Sequence, residues 1–328
     1  MAVVTTSTRR RNTAIGVALA AVGARAGLKL VARRVHQRHD SDLDSLSALP
    51  EVIHHTVPTH DGGAVHVVEH GSGTRTVMVM HGVTLQWWVW SAVMRLLGDD
   101  CRVFAWDMRG HGESIPGSDG ITLEAVGRDI ATVIEHLELR EVTLVGHSMG
   151  GMALGSFVAE GQHAISDRVA KLVFVATSAA TLAPGAVRGG LGAFIGMIES
   201  VTKVHRVWPD LRYRWNPNDV STAMIALAFG ANATEKMVED VRVMEREMNP
   251  TYLGESAISI ARHDVRGRLR FVDQPVTVVV GTHDRLTPPI HSDTLVAQFE
   301  NAKLVTLVDV GHQVMQEAPH QLVQQILD

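Results

Sequence analysis

The stretch Val142-Thr143-Leu144-Val145-Gly146-His147-Ser148-Met149-Gly150-Gly151 decides the fold of this 328-residue chain. An apolar run turns abruptly into a helix start built of small residues, and one serine stands at the bend. In a Gly-x-Ser-x-Gly turn the serine takes a strained backbone conformation. The flanking glycines, here Gly146 and Gly150, remove the Cβ atoms that would clash where strand and helix cross. Residues 142–145 are aliphatic or β-branched, as a strand buried on both faces requires, and residues 149–160 are rich in helix-favouring Met, Ala and Leu. A small-residue turn also arises where a helix merely packs close to a strand, so the pentapeptide alone does not establish a nucleophile. A serine hydroxyl attacks poorly at neutral pH unless a histidine takes its proton and a carboxylate orients that histidine. An acid and a histidine are therefore required elsewhere.

Both occur downstream. Gln274-Pro275-Val276-Thr277-Val278-Val279-Val280-Gly281 reads as a buried strand ending in Thr282-His283-Asp284, and Lys303-Leu304-Val305-Thr306-Leu307-Val308 as the next strand, ending in Asp309-Val310-Gly311-His312. Asp284 and His312 then stand just past the carboxyl ends of parallel strands, on the rim where open α/β sheets place their ligands. The expected catalytic set is Ser148, Asp284 and His312, in the chain order nucleophile, acid, histidine.

With this order the sequence resembles the α/β-hydrolase family from about Glu51 to the C-terminus. Thr76-Val77-Met78-Val79-Met80 leads into His81-Gly82-Val83-Thr84, similar to the family's His-Gly loop. Arg102-Val103-Phe104-Ala105-Trp106 leads into Asp107-Met108-Arg109-Gly110-His111-Gly112-Glu113-Ser114, similar to its Asp-x-Arg-Gly-x-Gly-x-Ser turn. The resemblance implies an α/β fold with a mostly parallel central sheet, helices on both faces and an inserted helical cap. It also implies an oxyanion hole made by the backbone N–H groups of Val83 and Met149, with His81 holding its loop and residues 107–114 acting as a structural turn. Relatives of this fold that open epoxides or remove halide use an aspartate at the nucleophile position, and Ser148 argues against both. The implied activity is hydrolysis of carboxylic esters, esterase- or lipase-like. The alternatives are a carbon–carbon bond hydrolase or haloperoxidase-like relative with the same triad, and a catalytically idle ligand-binding protein on this scaffold.

The strand rhythm stops from about residue 181 to 266, where apolar helical stretches such as residues 220–229 and 235–248 take over. The chain is thus divided into an N-terminal segment, 1–40, a core, 41–180 with 267–328, and a cap, 181–266. Because insertions in the resembled family sit above the catalytic rim, the resemblance implies that this cap roofs a pocket for a medium-sized, mainly apolar substrate, with Trp208, Trp215 and Phe229 as candidate lining residues, although at helical spacing such residues are more often core. Arg206, Arg212 and Arg214 read by default as a solvated face.

Composition fits such an enzyme, with 45% hydrophobic and 20% charged residues and a formal net charge of -5, which leaves no basic surface for nucleic acid. The single cysteine, Cys101, forms no intramolecular disulfide and reads as a small buried apolar residue. Eighteen histidines show no metal-ligand spacing, and Gly71-Ser72-Gly73 lacks the rest of a nucleotide-binding fingerprint, so no metal and no cofactor are expected. Near the N-terminus Arg9-Arg10-Arg11 precede an apolar run, residues 14–24, too short to span a bilayer. Arg25, Lys29 and Arg33 follow at every fourth residue. This pattern favours a basic helix that lies on an anionic membrane or packs on the core over a cleaved export signal. The expected location is cytoplasmic or peripheral on the inner membrane face.

Overall fold

Side chains that alternate along the strands divide this fold into two cores. A computed structural model describes residues 26–161, 168–180, 218–270 and 272–328. Its sheet has eight strands: β1 Ile53–Pro58, β2 Ala64–His70, β3 Arg75–Met80, β4 Cys101–Trp106, β5 Val142–His147, β6 Val169–Val175, β7 Val276–Gly281 and β8 Ala302–Leu307. Their spatial order is β1-β2-β4-β3-β5-β6-β7-β8, with β1 and β2 antiparallel and the rest parallel. Odd and even positions of the central strands face opposite ways. Met78, Met80, Phe104, Leu144, Phe174 and Val278 meet the helices Leu123–His136 and Met149–Ala159 on one face. Val77, Val79, Val103, Val145, Val173 and Val279 meet the helices Ser91–Leu97 and Pro319–Leu327 on the other. Cys101 is wholly buried at the start of β4.

The topology sets the place of the site. The chain steps outward from β3 to β4 and then crosses back to β5, so the loops after β3 and β5 diverge from neighbouring strands. That divergence opens the crevice in which such sheets bind ligands. The loop carrying Gly71 and Gly73 connects β2 to β3, which are not neighbours, so it is a loop and not a hairpin.

Between β6 and β7 the described residues are helical at Asp219–Ile225, Glu235–Glu247 and Pro250–Arg262. Thr234 and Asn249 cap the last two through side-chain bonds to Met237 and Thr251 N–H groups. The two ends of the insertion meet in a bridge between Ala180 and Asp264, reinforced by Val265 N–H donating to Ala179 C=O at 2.9 Å. The helix Glu235–Glu247 packs on the loop after β3: Gln86 Nε2 donates to Glu247 at 2.7 Å, and Gln86 N–H faces Met244 Sδ at 3.2 Å.

Residues 26–36 are helical, and Ala32 and Val35 of this helix are buried, Val35 within the second core. His36 pairs with Glu235 at 2.6 Å, and Glu235 N–H donates to Arg38 C=O at 3.1 Å. The helix at residues 26–36 is thus packed on the remainder of the fold through these contacts. Lys29, Leu30, Val31, Arg33 and Arg34 face solvent, and Arg25 lies outside the described residues. Among the described residues no helix is long and apolar enough to cross a membrane.

Candidate active site

Ser148 sits between β5 and the helix Met149–Ala159 with φ 52° and ψ -117°, a conformation that costs a non-glycine residue about 1–3 kcal/mol. The surroundings enforce it. Ser148 N–H donates to Val175 C=O at 3.0 Å, and Thr177 Oγ1 donates to Ser148 C=O at 2.7 Å. A Cβ on Gly146 would lie 2.7 Å from Gly150 O, and one on Gly150 would lie 2.6 Å from His81 O. The crossing is thus closed to any larger residue.

The acid and the histidine meet directly. His312 Nδ1–H donates to Asp284 Oδ2 at 2.9 Å, and both side chains are buried. Asp284 is itself fixed by Leu286 N–H and Thr287 N–H, each 2.9 Å from Oδ1, and by Thr287 Oγ1 at 2.8 Å from Oδ2. With Nδ1 committed to the carboxylate, His312 carries its lone pair on Nε2. His147 ties this loop to the serine: its Nε2–H donates to His312 C=O at 3.0 Å, and the two rings lie 4.7 Å apart. Burial, with His312 close by, holds His147 well below the usual imidazole range, so it is neutral. Among the described residues no hydrogen bond joins Ser148 Oγ to His312. Such contacts often tighten only when substrate is bound.

The loop after β3 closes the third side. A Cβ on Gly82 would lie 3.0 Å from His147 Nδ1 and 3.1 Å from Ser148 Cβ, so the backbone leading to Val83 passes against the serine. His81 holds that loop, donating from Nδ1–H to Gly82 C=O at 2.7 Å and accepting Met108 N–H on Nε2 at 3.0 Å. His111 Nε2 accepts Thr84 N–H at 3.3 Å, and burial beside His81 pushes the His111 imidazole down to about 3. Met149 opens the helix, so its N–H has no acceptor within the helix and lies at the positive end of the helix dipole.

The turn after β4 is held by Asp107 and Arg109. Asp107 accepts from His66 Nδ1 and Trp87 N–H, each at 2.9 Å, and Arg109 forms buried ion pairs with Asp61 and Asp129. Phe229 is wholly buried in the second core, whereas Trp208, Trp215, Arg206, Arg212 and Arg214 lie outside the described residues. No group of three or more His, Cys, Asp or Glu among the described residues is placed to hold a metal ion.

Sequence reasoning missed Thr177, Thr287 and the tie made by His147. Thr287 stands three residues after Asp284, the spacing at which a threonine hydroxyl folds back on a carboxylate in a turn. That signal was available. Thr177 and His147 act through tertiary neighbours and leave no local pattern.

The α/β hydrolase fold profile matches residues 75–319, about three-quarters of the chain. The chain belongs to the α/β hydrolase fold family. A non-heme haloperoxidase of Rhodococcus erythropolis is 30% identical to it over 268 residues, 78% of this chain and 92% of that protein. The dihydrolipoyllysine-residue acetyltransferase component of an acetoin cleaving system from Pseudomonas putida is 28% identical over 270 residues. These are 78% of this chain but 64% of that protein's length. Among solved structures, an esterase from Exiguobacterium antarcticum superposes on this α/β hydrolase with a TM-score of 0.72, covering 84% of this chain and 100% of its own. At 20% identity this similarity speaks for the fold.

Proposed function

We propose that this α/β hydrolase is a serine hydrolase acting on carboxylic esters of medium-sized, mainly apolar substrates through an acyl-enzyme on Ser148. The observation that carries the reading is the buried 2.9 Å bond from His312 Nδ1 to Asp284, which leaves Nε2 free to act as the base for the strained Ser148. In this reading Nε2 takes the Ser148 proton as Oγ attacks the ester carbonyl. The N–H groups of Val83 and Met149 stabilise the oxyanion, each donor contributing roughly 10²–10³ in rate. The imidazolium then returns its proton to the departing alcohol, and water, activated the same way, releases the acid. A fluorophosphonate probe should label Ser148, and a series of nitrophenyl esters of increasing chain length should show an optimum. Protein that is neither labelled nor active on any ester would point to the idle ligand-binding alternative.

The haloperoxidase relative favours a second reading, in which hydrogen peroxide replaces water at deacylation and the product is a peracid. Peracid formation from a short ester with peroxide, abolished in Ser148→Ala, would support it.

Residues 181–266 are proposed as the cap, supported by the contacts of Met244 and Glu247 with Gln86 after β3. Trp215→Ala is then expected to shift chain-length preference while sparing a small acetate ester. Equal loss on all esters would assign Trp215 to stability.

The exposed face of the N-terminal helix joins Leu30 and Val31 to Lys29, Arg33 and Arg34, and contact with an anionic membrane surface is proposed for it. Each basic residue near such a surface contributes about 1 kcal/mol, weakened by salt. Charge reversal of Lys29, Arg33 and Arg34 should abolish salt-sensitive binding to anionic vesicles and leave hydrolysis of a soluble ester unchanged. Wild-type protein that ignores the vesicles at low salt would end this idea. Truncation to residue 40 should be destabilising, because it removes Ala32 and Val35 from the core.

A further inference from the structure

Beyond the triad, a second carboxylate organises the histidine loop. Residues 228–231 of the insertion run alongside residues 309–312. His312 N–H donates to Ala228 C=O at 2.8 Å, and Ala231 N–H donates to Asp309 C=O at 3.2 Å. The two backbones touch where both are glycine: a Cβ on Gly230 would lie 2.1 Å from Asp309 O, and one on Gly311 would lie 2.3 Å from Gly230 N. So close an approach leaves the N–H groups of Gly230 and Gly311 without backbone partners, and a buried unpaired N–H is costly. Glu317, at the end of the short helix Val314–Glu317, supplies the acceptor. Its Oε2 takes Gly230 N–H at 2.7 Å, and its two oxygens share Gly311 N–H at 3.0 and 3.1 Å. The carboxylate thus ties Gly311, the residue before His312, to Gly230 of the insertion.

We infer that Glu317 is a positioning residue whose carboxylate clamps the His312 loop to the insertion and holds the imidazole in register for proton transfer. The inference rests on the serine-hydrolase reading of the same site. Burial pushes the Glu317 carboxyl up to about 7, against the pull of its backbone N–H bonds and with the help of the negative Asp284. The other charged or titratable groups around it are His312 in its own loop, Arg285 reaching Phe229 C=O at 3.5 Å, and Asp309, which faces His283 at 3.7 Å. Protonation places an O–H where the carboxylate accepted an N–H, so the clamp loosens in the range where a general-base histidine also gains its proton.

The test is the pH dependence of kcat/KM on a soluble ester. In the wild type the acid limb should be steeper than a single ionisation. In Glu317→Gln, which keeps the shape but offers one acceptor oxygen in place of two, kcat should fall about ten- to a hundredfold with KM little changed, and the acid limb should follow one ionisation. Glu317→Asp retains the charge one methylene short and should keep the steep limb at reduced kcat, which also covers the case in which the glutamine variant does not fold. Profiles of one shape in wild type and Glu317→Gln, or a single ionisation in Glu317→Asp, would overturn the clamp. A wild type unlabelled at Ser148 by fluorophosphonate would overturn the triad reading instead, so the two failures are distinguishable.

Discussion

Ser148→Ala is expected to lower kcat on a short nitrophenyl ester by about four to six orders of magnitude, with His312→Ala falling as far and the double variant no further. The reason for this non-additivity is mechanical. In the proposed mechanism nothing bonds to the carbonyl without Oγ, and nothing removes the hydroxyl proton without Nε2, so either loss disables the same step. On that mechanism, what survives is catalysis by the proposed oxyanion donors and by binding. Asp284→Asn is expected to cost less than either, because the carboxylate orients and stabilises without bonding to substrate. It still costs much, because the new amide group would face His312 Nδ1 and the Thr287 hydroxyl, both of which need an acceptor there. Alanine at position 148 keeps the φ of 52° and all the backbone bonds, so the melting temperature should move little. Near-normal hydrolysis by a folded Ser148→Ala protein would place the nucleophile elsewhere.

The parts of the site legible in the sequence are those in which local chemistry and fold agree. The bend at Ser148 is one, because Gly146 and Gly150 are required by the backbone crossing itself. The positions of Asp284 and His312 are another, because β-branched runs announce β7 and β8 and the residues after them must stand on one rim. The short strands near the N-terminus carry a weaker signal: β1 is an exposed edge, and its His54, His55 and Thr56 show no apolar alternation. Glu317 was invisible for a different reason. Five residues beyond His312 it reads as a surface glutamate of a helix end, and its role exists only because a segment more than eighty residues earlier in the chain returns to the same loop. The N-terminal helix shows the same limit. Its basic stripe is readable, whereas its attachment through Ala32, Val35 and His36 depends on partners far along the chain.

Arg109→Ala should destabilise the protein by about 3–5 kcal/mol, measured by urea unfolding, although Arg109 takes part in no step of the proposed mechanism. Its guanidinium is 0% exposed and bonds Asp129 through Nε at 2.7 Å and Nη2 at 2.6 Å. Nη1 reaches Asp61 at 2.9 Å and Gly120 C=O at 2.9 Å. The side chains of Asp129 and Asp61 are 0% and 2% exposed, so removing the cation strands two carboxylates out of water. The pH dependence separates this mechanism from simple loss of packing. In the wild type, burial works against Asp61, yet the bonds from Arg109 and Thr59 hold it well below the usual carboxylate range. Its contribution is therefore present above the unfolded carboxylate pKa and lost only as pH falls through the depressed folded value. In the variant, desolvation without a counter-ion raises Asp61 above its unfolded value and raises further Asp129, whose carboxyl burial already pushes up in the wild type against the pull of Arg109. The folded state then binds protons more tightly than the unfolded one, and its stability falls as pH rises through that window. The deficit of Arg109→Ala should consequently be largest at pH 7–8 and shrink toward pH 4–5. Arg109→Met, which refills much of the volume, should recover packing but keep this pH dependence. A deficit that is the same at pH 5 and pH 8 would mean that the guanidinium acts mainly through its bulk.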